Sequence, residues 1–294
     1  MINFTFVIPH KNSPQYLSRC INTIPIRDDV QIIIVDDNSK DELKPRIHRK
    51  DTIVIFNKDN LGAGHARNIG LKYAVGKWCF FADCDDFYSH GFLDILEKYL
   101  DSDYDIVYFS SFFRIDIETG RCQEFHYDEL YKEYRNNPSR KIATSLKFAI
   151  NAPWNKMYKT SFLQKNNLAF EEIPIGNDAL FVNSASFLTQ KVCFLGDKLY
   201  YYVDNPCGIT RKKNRPLQDL LIVFKSAARV DIIKAKAHAW DSIRPIDYNR
   251  FLYYSKNYGL VNALSLYCLK FCYKGYPFFR IIINKLIQKI SIWK

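Results

Sequence analysis

Apolar positions in the first third of the chain follow two alternating patterns. Short β-branched and aromatic runs occupy residues 4–8, 30–35, 53–56 and 78–82, with the length and composition of buried strands. Between the third and fourth runs, Ala66, Ile69, Leu71 and Ala74 recur at helical spacing over residues 61–75. After the first run, Ser13 followed by Pro14 supplies a helix cap with proline in the first turn. A fifth strand is expected at 106–110. Strand, helix and strand in series build a parallel sheet through right-handed crossovers, and ligand sites in such sheets gather at the carboxyl ends of the strands. The segments after Ile8, Val35, Phe56 and Ala82 therefore share one edge. From Phe112 the alternation stops. Glu118-Thr119-Gly120 reads as a hairpin turn, residues 127–136, 139–150 and 178–188 as helices, 192–203 as a strand or hairpin, and the chain after Pro216 as helical throughout. The expected fold class is α/β, a mostly parallel sheet flanked by helices with a helical C-terminal extension, divided at 1–115, 116–215 and 216–294.

Three of the strand ends carry polar residues where a ligand would sit. The second is followed by Asp36-Asp37-Asn38-Ser39, where a carboxylate can accept hydrogen bonds from a base or ribose, or can serve only a helix cap and a solvated turn. The third is followed by Asn60-Leu61-Gly62 and then Gly64, Arg67 and Gly70. Small residues at a helix start favour phosphate, and Arg67 has the reach for a diphosphate or a base; the glycines can also serve only the turn. The fourth ends in Asp83-Cys84-Asp85-Asp86. Three crowded carboxylates repel one another unless a cation or donor offsets them. Their oxygens suit Mg²⁺ or Mn²⁺, which would stabilise charge on a departing diphosphate; the plain alternative is an acidic turn.

Taken together, Phe6-Val7-Ile8-Pro9, Val35-Asp36-Asp37-Asn38-Ser39, Asn60-Leu61-Gly62 with Ala66-Arg67-Asn68-Ile69-Gly70, and Asp83-Cys84-Asp85-Asp86 resemble the family 2 glycosyltransferases of the GT-A fold, in order and spacing, over roughly the first 115 residues. The resemblance implies a Rossmann-like sheet, with residues 1–115 the nucleotide-sugar half, 116–215 the acceptor half of the same domain, and 216–294 a helical region with a basic tail. It places Pro9 and Asp37 beside the nucleotide base with Asp36 nearby, and has Asn60 and Arg67 help hold the nucleotide. Asp83-Cys84-Asp85 becomes the D-x-D motif, with Asp85 a direct ligand of Mn²⁺ or Mg²⁺ and Asp83 close to ribose and metal. Further along, Ala152-Pro153-Trp154-Asn155-Lys156-Met157-Tyr158 resembles a segment of the bacterial members that build surface polysaccharides, which adds Trp154 and Lys156 to the donor site. Gly176-Asn177-Asp178-Ala179-Leu180-Phe181 resembles their G-E-D-x-x-F stretch, with Asn177 where Glu is usual and Asp178 the implied catalytic base. Tyr200-Tyr201-Tyr202 through Gly208-Ile209-Thr210-Arg211-Lys212 resembles a later segment that closes over donor phosphates, with Gly208 where Ser is frequent, and adds Thr210 and Arg211 to the donor site. The implied activity is an inverting transfer of sugar from a nucleotide-diphosphate donor, UDP by resemblance, to a glycan or lipid-linked glycan of capsule or lipopolysaccharide. Asp178 takes the proton of the attacking hydroxyl.

Charge sharpens this picture. The 294 residues carry a net charge of +11, which suits an anionic partner. Beyond Asp247 no acidic residue follows, while Arg250, Lys256, Lys270, Lys274, Arg280, Lys285, Lys289 and Lys294 do. Phe279, Ile282, Ile283, Leu286, Ile290 and Trp293 share one helical stripe. A basic amphipathic helix of this kind suits peripheral contact with an anionic membrane; packing on the body is the alternative. The 8 cysteines form no C-x-x-C pair and no zinc spacing. The start lacks a signal-peptide pattern, and no run is long enough to span a bilayer. A cytoplasmic protein, peripheral on the inner face of the cytoplasmic membrane, is the resulting expectation. A sugar-phosphate nucleotidyltransferase would need a glycine-rich loop after the first strand, where this chain has His10-Lys11-Asn12-Ser13-Pro14. A non-catalytic membrane or nucleic-acid binder leaves the carboxylate cluster unexplained, and no nucleic-acid-binding signature is present.

Overall fold

Every apolar run of the first third forms a strand in the computed structural model, which describes residues 1–123, 127–205, 208, 216–237 and 239. In chain order the elements are β1 (Phe4–His10), α1 (Pro14–Asn22), β2 (Val30–Asp37), β3 (Thr52–Asn57), α2 (Ala63–Tyr73), β4 (Trp78–Phe81), β5 (Phe87–Tyr88), α3 (Phe92–Glu97), β6 (Ile106–Ile115), α4 (Asp128–Asn136), α5 (Arg140–Ala149), β7 (Lys156–Lys159), α6 (Thr160–Lys165), α7 (Ala179–Leu188), β8 (Val192–Val203) and α8 (Leu217–Lys236). The chain divides into two compact units, Met1–Lys212 and Lys213–Lys294. All eight strands lie in the first and α8 lies in the second.

The strands form one sheet in the order β3-β2-β1-β4-β7-β6-β8-β5. The first four are mutually parallel. β7 is antiparallel to both β4 and β6, β8 runs parallel to β6, and β5 closes the edge antiparallel to β8. The apolar pattern does not predict β7, because its four residues carry lysine at both ends. The expected turn at residues 118–120 forms: Asp116 Oδ1 accepts the amides of Glu118 and Thr119, and Gly120 takes a φ of +68°.

Period-two alternation splits the core between the two faces. Phe4, Phe6 and Ile8 of β1 join Leu17, Cys20, Phe92 and Leu96 from α1 and α3. Val7 joins the opposite cluster with Ala66, Leu163, Phe181 and Ala185 from α2, α6 and α7. Aromatic stacking fills the first face, with Phe6 and Phe80 ring centroids 4.5 Å apart and Tyr88 and Phe92 4.2 Å apart. On the second face α2 lies directly against β1: a Cβ added at Gly70 would stand 2.4 Å from Val7 Cγ1. The result is a three-layer α/β fold whose parallel strands all end on one edge.

Candidate active site

At that edge His10 is paired with Asp36 across β1 and β2. The Ser13 amide donates to His10 Nε2 at 3.1 Å, so that nitrogen carries no hydrogen and Nδ1–H donates to Asp36 Oδ1 at 2.7 Å. Asp36 also accepts the Ser39 amide at 3.0 Å and the Ser39 hydroxyl at 2.5 Å. Both of its oxygens are occupied within the protein at 1% exposure. Beside it, Asp37 accepts the Gly62 amide at 2.9 Å and the Asn57 side-chain amide at 3.2 Å. Lys11 Nζ stands 3.8 Å from Asp37 and donates to Asn60 Oδ1. Pro9 is buried within β1. Asn12, Asn38 and Asn60, one in each loop after β1, β2 and β3, take left-handed φ values of 52°, 59° and 54°, a conformation asparagine tolerates.

The next group is organised by Arg67, 4% exposed on α2. Its Nη2 donates to Asp83 and its Nη1 to Asn177 Oδ1 at 2.9 Å, with the guanidinium 5.3 Å over the Phe170 ring. Nε stays buried without a partner. Asp83 keeps 30% side-chain exposure, so a ligand can reach it. Asp85 accepts the Asn205 amide at 2.7 Å, and burial, then the charge of Asp83, raises its carboxyl above the ordinary range.

Asp86 departs from the expected cluster of three. It turns inward at 1% exposure and accepts the Tyr200 hydroxyl at 2.9 Å and the Val203 amide at 2.8 Å. Burial, then Asp85 and Asp83, hold its carboxyl well above the usual range. Among the described residues no three His, Cys, Asp or Glu side chains form a cation site made by protein alone. One oxygen of Asp83 accepts Arg67 and one of Asp85 accepts Asn205. That pair fits Mg²⁺ or Mn²⁺ completed by phosphate oxygens and water, the usual way such an ion is held over a diphosphate.

Asp178 is the N-cap residue of α7, yet its side chain does not cap the helix. Burial raises its carboxyl above the ordinary value, Arg67 pulls against that rise and Asp83 adds to it. A carboxylate that caps no helix and has raised proton affinity is suited to general-base work. The segment before it is strapped onto α2. Asn68 exchanges two hydrogen bonds with the backbone of Phe170, at 3.0 and 2.8 Å, and His65 meets Glu172 at 2.9 Å. A Cβ at Gly64 would stand 2.0 Å from the Glu171 carbonyl oxygen, so only glycine allows this approach.

Trp154 and Lys156 have interior places. Trp154, 4% exposed, stacks on Tyr200 and Tyr202 at 5.0 and 5.6 Å. Lys156 Nζ donates to Ile150 O at 3.2 Å, Ala152 O at 2.7 Å and Asn155 Oδ1 at 2.6 Å. Its amine is pushed down to about 7 by burial, with the charge of Asp178 opposing. Thr210, Arg211 and the tail from Phe279 to Trp293 lie outside the described residues. Sequence reading misses Phe170, a single aromatic in a polar surrounding that lies under Arg67, and gives no sign that the Tyr200 hydroxyl joins the Asp83 amide to Asp86. Asn177 shows its partnership with Arg67 only in three dimensions.

Residues 5–166 match the family described as glycosyl transferase family 2, more than half of the 294 residues. The chain belongs to that family. It is 26% identical over 213 residues to the poly(ribitol-phosphate) beta-N-acetylglucosaminyltransferase TarS of Staphylococcus aureus, covering 69% of this chain and 35% of that protein. With the uncharacterized glycosyltransferase EpsJ of Bacillus subtilis it shares 27% identity over 225 residues, 73% of this chain and 65% of EpsJ. The chain thus spans about a third of the length of the staphylococcal relative. The crystal structure of TarS 1-349 in complex with UDP-GlcNAc superposes with a TM-score of 0.66 at 20% identity, over 92% of this chain and 81% of that one. This likeness establishes a GT-A-like α/β fold for the family 2 member described here. Among its described residues no helix is long and apolar enough to cross a membrane.

Proposed function

We propose that this family 2 member is an inverting glycosyltransferase that moves a sugar from a UDP-sugar to a growing surface glycopolymer. The observation that carries the reading is the Arg67 bridge. One buried guanidinium holds Asp83 on the donor side and Asn177 on the other, next in sequence to an uncapped Asp178. The base is bound at the corner of Asp37, Asn60 and Pro9, while Asp36 holds that corner in shape. Arg67 acts chiefly by orienting Asp83, since its own exposure is small. A hydroxyl of the acceptor attacks the anomeric carbon as the bond to the diphosphate oxygen breaks, and its proton passes to Asp178. Attack opposite the leaving group inverts the anomeric centre. Asp83 and Asp85 would hold a divalent cation, which when bound neutralises charge on the departing diphosphate. The choice of UDP and of a polymer acceptor draws on the similarity to TarS and to its complex with UDP-GlcNAc. Thr210 and Arg211 are proposed to close over the donor phosphates.

Release of nucleoside diphosphate from a panel of UDP-, GDP- and dTDP-sugars tests this, with Mn²⁺, Mg²⁺ or chelator present. The expected result is slow hydrolysis of a UDP-sugar, lost with chelator and in Asp85→Ala. Silence across the panel, with no UDP binding by calorimetry, sinks the reading. Activity that survives chelator removes the cation from it.

A further inference from the structure

Lys156 is buried and its charge bears on the proposed base, yet its amine is held by acceptors of the segment just before it. The three acceptors around Nζ, Ile150 O, Ala152 O and Asn155 Oδ1, match the three hydrogens of the protonated amine, so no donor is left for a phosphate. These contacts knot the segment 150–155 into a fixed loop. The loop is fastened on two further sides. Asn155 donates to Phe109 O of β6 at 3.2 Å. Asn183 of α7 donates to Asn151 Oδ1 at 2.9 Å and to Ala179 O at 2.7 Å. Ala179 is the first residue of α7 and follows Asp178 directly. A second tie runs from Ser186 of α7 to Lys147 O of α5 at 3.0 Å and to the Tyr108 hydroxyl at 2.9 Å. The Lys156 ammonium itself lies 5.5 Å over the Tyr108 ring.

We propose that Lys156 is a positioning residue for the transfer reaction, acting on Asp178 through the segment 150–155 and the start of α7 without touching the donor. The inference rests on the reading of Asp178 as the base. It gives this lysine a different part from the donor-binding one implied by family resemblance. It also explains why the residue is an amine held by carbonyls: a flexible ammonium can gather three acceptors from one loop, which the planar guanidinium of arginine cannot do in the same space.

Lys156→Met, Asn183→Leu and the double variant are compared with wild type by UDP calorimetry and by steady-state hydrolysis of the donor the wild type accepts. Melting curves confirm that each variant is folded. A displaced base lowers kcat by roughly a hundredfold with little change in donor KM. UDP affinity stays within about twofold of wild type, and the double variant is no slower than the slower single, as expected for residues on one path. A loss of UDP affinity of about tenfold or more in Lys156→Met alone would mean that Lys156 touches the donor, and the inference falls. Unchanged kcat in a folded variant also overturns it. Should Lys156→Met not fold, Asn183→Leu and Asn151→Ala carry the test, since both break the tie to α7 and leave the buried ammonium in place. A wild type that neither binds UDP nor hydrolyses any donor defeats the glycosyltransferase reading itself, and this inference with it.

Discussion

Asp36 and Asp178 are both carboxylates at the end of a regular element, and the fold treats them in opposite ways. Asp36 closes a network in which His10, Ser39 and the Ser39 amide all donate to it. Asp178 is served by its own amide and the charge of Arg67, which do not offset burial, and its proton affinity is raised. On the proposed reading, the donor edge is held by contacts that need no ligand, whereas the start of α7 keeps a carboxylate for proton transfer. A carboxylate that stabilises the fold is one whose oxygens are already hydrogen-bonded. One that is to accept a proton has to be left uncommitted, at some expense in stability.

The largest test of this contrast is Asp178→Asn. Loss of a positioned general base typically lowers the rate by ~10²–10⁴-fold, so kcat should fall by that order while UDP binding persists. Stability should move the other way. The folded chain binds the Asp178 proton more tightly than the unfolded chain does, so ionising that group costs stability as pH rises through its folded value. A neutral amide removes the cost. Calorimetric scans at pH 7 should show Asp178→Asn melting at or above wild type, with the difference disappearing at low pH; a large fall in melting temperature would mean that Asp178 is a structural group.

Asp36→Ala should do the reverse. It leaves His10 Nδ1–H and the Ser39 donors without an acceptor in a closed interior, at about 1–3 kcal/mol for each buried group left unpaired. Urea unfolding should show a clear loss of stability, and the remaining folded protein should keep its hydrolytic kcat. If stability holds and UDP binding is lost instead, Asp36 faces the ligand after all. Gly64→Ala is a smaller perturbation that joins the two regions. The new methyl meets the Glu171 carbonyl oxygen, and the strap carrying Asn177 and Asp178 has to shift. Because small displacements of a catalytic group are costly in rate, kcat should drop by roughly tenfold or more with only a modest change in melting temperature. Unchanged kcat would show that the strap tolerates movement.

The same contrast explains how much could be read from the sequence. The donor edge is legible because a parallel sheet presents its chemistry in chain order: each strand is an apolar run, and the polar residues directly after it lie on the binding edge. Asp37, Asn60 and Asp83 are placed on that edge this way, whereas Pro9, inside β1, comes only from the family resemblance. What the pattern misses is which carboxylate turns inward. Asp86 looks like its neighbours until Tyr200 and the Val203 amide, more than a hundred residues later, are seen to meet it. The second region is assembled from segments with no local signature. β7 begins and ends in lysine, and the partners of Lys156 are mostly main-chain carbonyls, which no side-chain pattern encodes. Motif resemblance finds Asp178 and Lys156 there, but not what each of them touches.

The smallest expected effect concerns Asn177, where family resemblance favours glutamate. Three charged groups bear on Asp178: Arg67 of α2 and Lys156 of β7, which favour its ionised form, and Asp83 after β4, which opposes it. Arg67 currently shares its donors between one carboxylate and the neutral Asn177 amide. In Asn177→Glu a second carboxylate would compete for the guanidinium and weaken its pull on Asp178. The base then holds its proton to higher pH. The acid limb of kcat/KM, which the raised carboxyl already places above the ordinary value of 3.8, should move further up, with activity on the high-pH plateau little altered. A limb that stays in place would mean that Arg67 neutralises the added charge completely. A limb that moves down would mean that Arg67 is not what holds Asp178 in its ionised form, and the coupling between the rigid donor edge and the waiting base would have to run through Lys156 instead.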